Sequence, residues 1–194
     1  LAGARMSSYL VVPVFAGLAA TAHDVVVATV GARWLDIVPL VQIFAIGHPV
    51  RSLIALGGPT LTATGQPSAN LGVAVGDLAA AIALLVVFSP LGPAGLASGW
   101  ALRLLVTAPL IAYLLGRHAG LRPGDLFAGA FGAVAAAAVM VATVVPLGEV
   151  LAGTALWVRL PTVVVAGAAV YAGMTWLIDP KLYAAPRALF AQRT

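Results

Sequence analysis

The sequence predicts an all-α integral membrane protein with six transmembrane helices, and three observations carry that prediction. Of 194 residues, 62% are hydrophobic and only 8% are charged, against roughly 25% charged in an ordinary soluble domain. So few charges cannot cover a compact soluble fold of this size, which removes soluble enzymes and nucleic-acid-binding domains; no nucleic-acid partner is expected. The apolar residues also gather in runs of about 20, and the mean hydropathy is +1.07. The strict alternation that membrane β-strands require is missing. With no cysteine in the chain, disulfides, thiol nucleophiles and thiolate metal sites are excluded.

The expected bundle occupies 1–178. Its first span covers about 8–30, where His23-Asp24 place the far end at the water interface. A short GARW turn leads to a second span at about 37–56, then to the polar, breaker-rich connection 57–68. The third span covers about 69–88 and stops at a Ser-Pro-Leu-Gly-Pro turn; the fourth covers about 94–115. A basic loop precedes the fifth, about 126–147, and the sixth covers about 158–178. Residues 179–194 form a basic cytoplasmic tail. At 1.5 Å rise, about 20 residues cross roughly 30 Å of hydrocarbon.

Basic residues set the orientation. With the N-terminus inside, the inner segments hold Arg5, Arg117, Arg122, Lys181, Arg187 and Arg193, the outer ones only Arg33 and Arg159. Both termini are therefore expected in the cytoplasm, and much of the +4 net charge reads as a topology signal. Trp34, Trp157 and Trp176 fall near span ends, where an indole suits the interface. Gly and Ala within the spans mark close helix seams. Pro13, Pro39, Pro49 and Pro109 are each expected to remove a backbone hydrogen bond, as bending points or as packing irregularities. The opening at Leu1 has neither an initiation context nor a signal-peptide pattern, so a C-terminal fragment of a longer protein is expected.

Ionisable groups inside the spans are the most informative, because each costs roughly 2.5–3.5 kcal/mol at the bilayer centre. Arg51 lies in the inner half of the second span, with His48 one turn earlier on the same face. Asp77 lies in the inner half of the third, and Asn70 falls on its stripe. Arg51 and Asp77, on antiparallel neighbours at comparable depth, form a neutralising pair, line part of a hydrated substrate cavity, or snorkel to an interface. Arg103, in the outer half of the fourth span, has no acidic partner at its expected depth, which tilts it towards a cavity. His118 reads as a solvated loop residue. The three histidines show no ligand spacing, and no catalytic triad, phosphate loop or zinc-protease motif occurs. No metal and no cofactor is expected.

The stretch from Pro13 through Leu71 resembles the polysaccharide exporters and flippases of the multidrug/oligosaccharidyl-lipid/polysaccharide superfamily, in particular the lipopolysaccharide/exopolysaccharide exporter branch. The resemblance is carried by Pro13 and Gly17, then Asp24, then the turn Gly31, Arg33, Trp34. It continues through Pro39 and Arg51 to the turn Leu61, Ala63, Gly65, Gln66, with Gly92, Gly95 and Ala97 a looser match. It covers about 12–126; beyond that only hydropathy agrees. Gln66 replaces the family's frequent Arg or Lys, and Asp77 matches no family motif. The resemblance implies two six-helix bundles facing a central cavity, of which this chain is the C-terminal one, in the cytoplasmic membrane of a bacterium. It implies transport, without covalent chemistry, of a lipid-linked anionic oligosaccharide by alternating access. The expected partners are membrane lipids, that glycan and the missing N-terminal bundle. Arg51 and Arg103 are the candidate anion contacts, with Asp77, His48 and Asn70 beside them. A drug/cation antiporter of the same superfamily, a membrane-embedded glycan polymerase or transferase, and a non-transporting scaffold bundle are the alternatives.

Overall fold

The computed structural model describes residues 2–55, 57–119 and 123–179, and every regular element among them is helical. Helix α1 spans Ala2–Ala20, α2 Ala22–Thr29, α3 Val38–Ala55 and α4 Gly57–Ala63. Then come α5 (Pro67–Phe88), α6 (Gly92–Ala119), α7 (Pro123–Val150) and α8 (Leu156–Ile178). Several are long and apolar enough to cross a membrane: the stretches Ala32–Ala63, Pro67–His118, Ala130–Val150 and Leu156–Ile178 qualify, and Arg5–Ala20 with Ala22–Thr29 qualifies as a bent pair. Most of the tail at 179–194 lies outside the described residues; Asp179 alone is described.

Two expectations about the elements need correction. The run 8–30 is not one rod, because α1 and α2 meet at an angle of 77°. The break sits at Thr21, where φ −104° and ψ 13° leave the helical range. Nor is 57–68 an open connection. Its first half is α4, held down by Leu61, which is fully buried with Val73, Ile111 and Leu115. The true turn follows at Gly65, whose φ of +77° suits glycine and strains most other residues. Pro39 stands second in α3, directly after a 3₁₀ segment at Ala32–Ile37, at the start of the helix rather than in its interior. Pro13, Pro49 and Pro109 do lie within helices.

Helix α5 and α6 form an antiparallel hairpin through a three-residue 3₁₀ turn, Ser89–Leu91, reversed at Gly92 with φ +72°. Packing links the helices in the row α8–α7–α1–α3–α6–α5. At one end, α1 and α7 share Tyr9, Val12, Ala133 and Ala137, and α7 and α8 share Met140, Val144 and Val163. At the other, α4, α5 and α6 enclose the Leu61 cluster. Small residues set these seams: Ala133 and Ala136 are fully buried, and a Cβ on Gly47 of α3 would stand 2.7 Å from the Trp100 ring of α6. Outward faces stay apolar, with Leu71, Leu78, Ile82 and Leu85 of α5 all more than half exposed, as for helices in lipid.

Candidate functional site

The hairpin register decides which charges meet. Asp77 and Arg103 stand on facing turns of α5 and α6, with Arg103 Nε 3.4 Å from Asp77 Oδ1. Both side chains are largely buried, at 31% and 14% exposure. The Thr107 hydroxyl lies 2.7 Å from Asp77 Oδ1 and 3.1 Å from the Arg103 carbonyl. Its single proton serves the carboxylate or the helix backbone. Arg103 Nε is buried without a well-aligned hydrogen-bond acceptor among the described residues. The contact is therefore chiefly Coulombic, and Arg103 does have an acidic neighbour. The expected Arg51–Asp77 pair is not formed, because the carboxylate is taken by the next helix of its own hairpin.

The other residues singled out from the sequence are dispersed. Arg51 is exposed, and none of the ion pairs among the described residues includes it. His48 stacks on Phe15 of α1, with ring centroids 4.2 Å apart and planes 21° from parallel. That contact ties α3 to α1. Asn70 turns away from Asp77: its Nδ2 lies 3.4 Å from Thr62 Oγ1, and its amide fills the space over Gly58. It anchors α4 to α5. Of the five candidates, only Asp77 and Arg103 are brought together.

A second charged group was not legible as a site. Arg159, in the first turn of α8, grips Asp24 of α2 through Nε, which donates to Oδ2 at 2.9 Å, and through Nη2, which donates to Oδ1. This fork is the strong geometry for an arginine and a carboxylate. Both side chains are about five-sixths buried, and His23 Nδ1 lies 3.2 Å from the same Oδ1. Asp24 and Arg159 are 135 positions apart, and only the 77° break turns α2 towards α8. The cluster lines a cavity of about 400 Å³ with Glu149, Gly148 and Ala152. At the opposite end of α8, Arg5 pairs with Asp179, and Tyr171 donates to the Tyr9 carbonyl at 3.0 Å. Among the described residues, no three His, Asp or Glu side chains converge as a metal site would require. Comparison with protein-family models, with curated proteins and with solved structures gives no match to this chain.

Proposed function

We propose that the chain is a six-span bundle of a membrane transporter that moves lipid-linked anionic glycan intermediates across the bacterial cytoplasmic membrane, with both ends of the bundle cytoplasmic. The observation that carries the reading is Arg51, a permanent cation within an apolar helix of α3 with no carboxylate in ion-pair contact among the described residues. A charge so placed costs several kcal/mol in lipid and is tolerated facing a hydrated lumen. A guanidinium there suits a pyrophosphate, because its fork of N–H donors matches phosphate oxygens. The motif order around Pro13, Gly17, Trp34, Arg51 and Gly65 supports the same reading. A second helical bundle would complete the cavity, and the Thr21 break and the helix-interior prolines supply points where one bundle rocks against the other.

Pairing of Arg103 with Asp77 moves Arg103 from substrate contact to positioning. The mid-bundle charge is then a neutral pair plus Arg51, which favours an anion over the cations of an antiporter. The test is complementation of an export-deficient strain with the complete transporter carrying single substitutions. Arg51→Ala is expected to lower export about ten- to a hundredfold, the worth of one charge-assisted hydrogen bond, and lipid-linked intermediate accumulates. Arg33→Ala, on the exposed turn beside Trp34, is expected to leave export within about twofold. Equal, mild effects at both positions would overturn Arg51 as the anion contact.

A further inference from the structure

The cavity at Asp24 and Arg159 does not stand alone. An apolar groove of about 510 Å³ lies beside it between α1 and α8 over a floor of α7, lined by Pro13, Gly17, Met140, Val164, Ala168 and Tyr171. The two spaces share Thr21, Val144 and Val163 as wall residues, so they adjoin. Each has the size of a small-molecule site, about 300–1,000 Å³. The groove lies where α1 and α8 touch sparsely, while Arg5 of α1 pairs with Asp179 just beyond one end of α8 and Asp24 of α2 pairs with Arg159 at the other. Its rim faces outward: Val14 and Val164 are 65% and 54% exposed. From Val163 to Tyr171 the groove runs about 12 Å at helical rise, room for part of an alkyl chain laid along the bundle.

The polar end specifies what heads that chain. Asp24 is spoken for by Arg159 and His23. Glu149 is exposed on the cavity wall and joins no ion pair among the described residues, so it is the uncompensated charge. A primary ammonium, with three N–H donors, satisfies a carboxylate in this setting. No Phe, Tyr or Trp ring lines the cavity to form a cage for a quaternary ammonium. On the same cavity lining, Arg159 keeps Nη1 outside its fork to Asp24, with only a long 3.4 Å contact to the Ala152 carbonyl, and His23 keeps its second ring nitrogen outside the contact to Asp24; these two groups suit a phosphate. We propose that these two adjoining pockets together form a lipid site for an aminophospholipid of the surrounding bilayer, with the ethanolamine ammonium on Glu149, the phosphate at His23 and Arg159, and one acyl chain in the α1–α8 groove. The proposal rests on the bundle lying in a bilayer and is independent of the glycan reading.

The experiment uses the full chain in detergent, titrated with ethanolamine-, choline- and glycerol-headgroup phospholipids of identical acyl chains. Retained lipid is counted by native mass spectrometry, and unfolding is followed by Tm. The ethanolamine lipid is expected to be retained at about tenfold lower concentration than the other two and to raise Tm with concentration. Glu149→Gln, at an exposed position, is expected to erase that preference while leaving the ligand-free Tm unchanged. Ala168→Phe, which fills the groove from an exposed position, is expected to lower retention of all three lipids. Equal retention of the three headgroups by the native chain would overturn the proposal, as would a preference for the glycerol lipid or discrimination that survives Glu149→Gln. Lipid selectivity lost with export intact would leave the flippase reading standing; export lost with selectivity intact would leave the lipid site standing.

Discussion

Asp77 and Arg103 are a pair whose energetics fall between two regimes. Exposed ion pairs are worth about 0–1 kcal/mol, and breaking a fully buried one costs about 3–5 kcal/mol. With 31% and 14% side-chain exposure, Asp77→Asn is expected to destabilise the chain by about 2 kcal/mol in a denaturation assay. The double replacement Asp77→Leu with Arg103→Met should recover most of that, because it leaves no lone charge behind. A double-mutant cycle measures the coupling; additive losses would show that the two charges do not sense each other. Both residues were visible in the sequence as costly intramembrane charges, yet their partnership was not. Dividing each span into halves put Asp77 inside and Arg103 outside, although the two stand 13 positions on either side of residue 90, in the turn between α5 and α6. Distance from the turn, rather than nominal depth, would have matched them.

At the scale of elements, hydropathy located α5, α6, α7 and α8 to within a few residues, because a long apolar run has one inexpensive conformation in lipid. It failed where polarity and helicity part company. Helix α4 reads as a loop from its Gly-Gly-Pro-Thr opening, and only the burial of Leu61 against the α5–α6 hairpin makes it helical. The Thr21 break was equally hidden, since the force that turns α2 resides on α8. Glycines show where packing, not propensity, rules. At Gly47, which meets the Trp100 ring, Gly47→Leu is expected to push α3 off α6 and cost about 2 kcal/mol or more. At Gly76, where nothing lies within 4 Å, Gly76→Ala is expected to be neutral or to stabilise by up to about 1 kcal/mol. Thermal unfolding of the two variants side by side checks the contrast. A larger loss at Gly76 would contradict the seam assigned to α3 and α6.

For the whole molecule, the row α8–α7–α1–α3–α6–α5 is the level least accessible to reading along the chain. Neighbours in sequence such as α6 and α7 pack weakly, whereas α1 sits between α7 and α3. The chain contains no cysteine, so engineered pairs report this order against no background. Gly57→Cys with Ile111→Cys, where a Cβ on Gly57 of α4 stands 3.7 Å from that of Ile111 on α6, is expected to cross-link on oxidation. Val75→Cys on α5 with Trp176→Cys on α8, at opposite ends of the row, is expected to remain reduced within one chain. Reversal of that pattern would refute the arrangement.

The two ion pairs that fasten α8 to α1 and α2 also carry a consequence for biosynthesis. Arg5 and Asp24 emerge from the ribosome before their partners Asp179 and Arg159, which lie on or beside the last of the described helices. Until α8 arrives, a cation and an anion on the first two helices must be sheltered by water, by lipid headgroups or by the insertion machinery. Helix α8 therefore acts as the closing strap of a bundle that stays electrostatically unfinished until α8 is made. A ribosome stalled before α8 should hold a nascent chain whose α1 and α2 remain accessible to aqueous labelling reagents, and release of α8 should abolish that labelling.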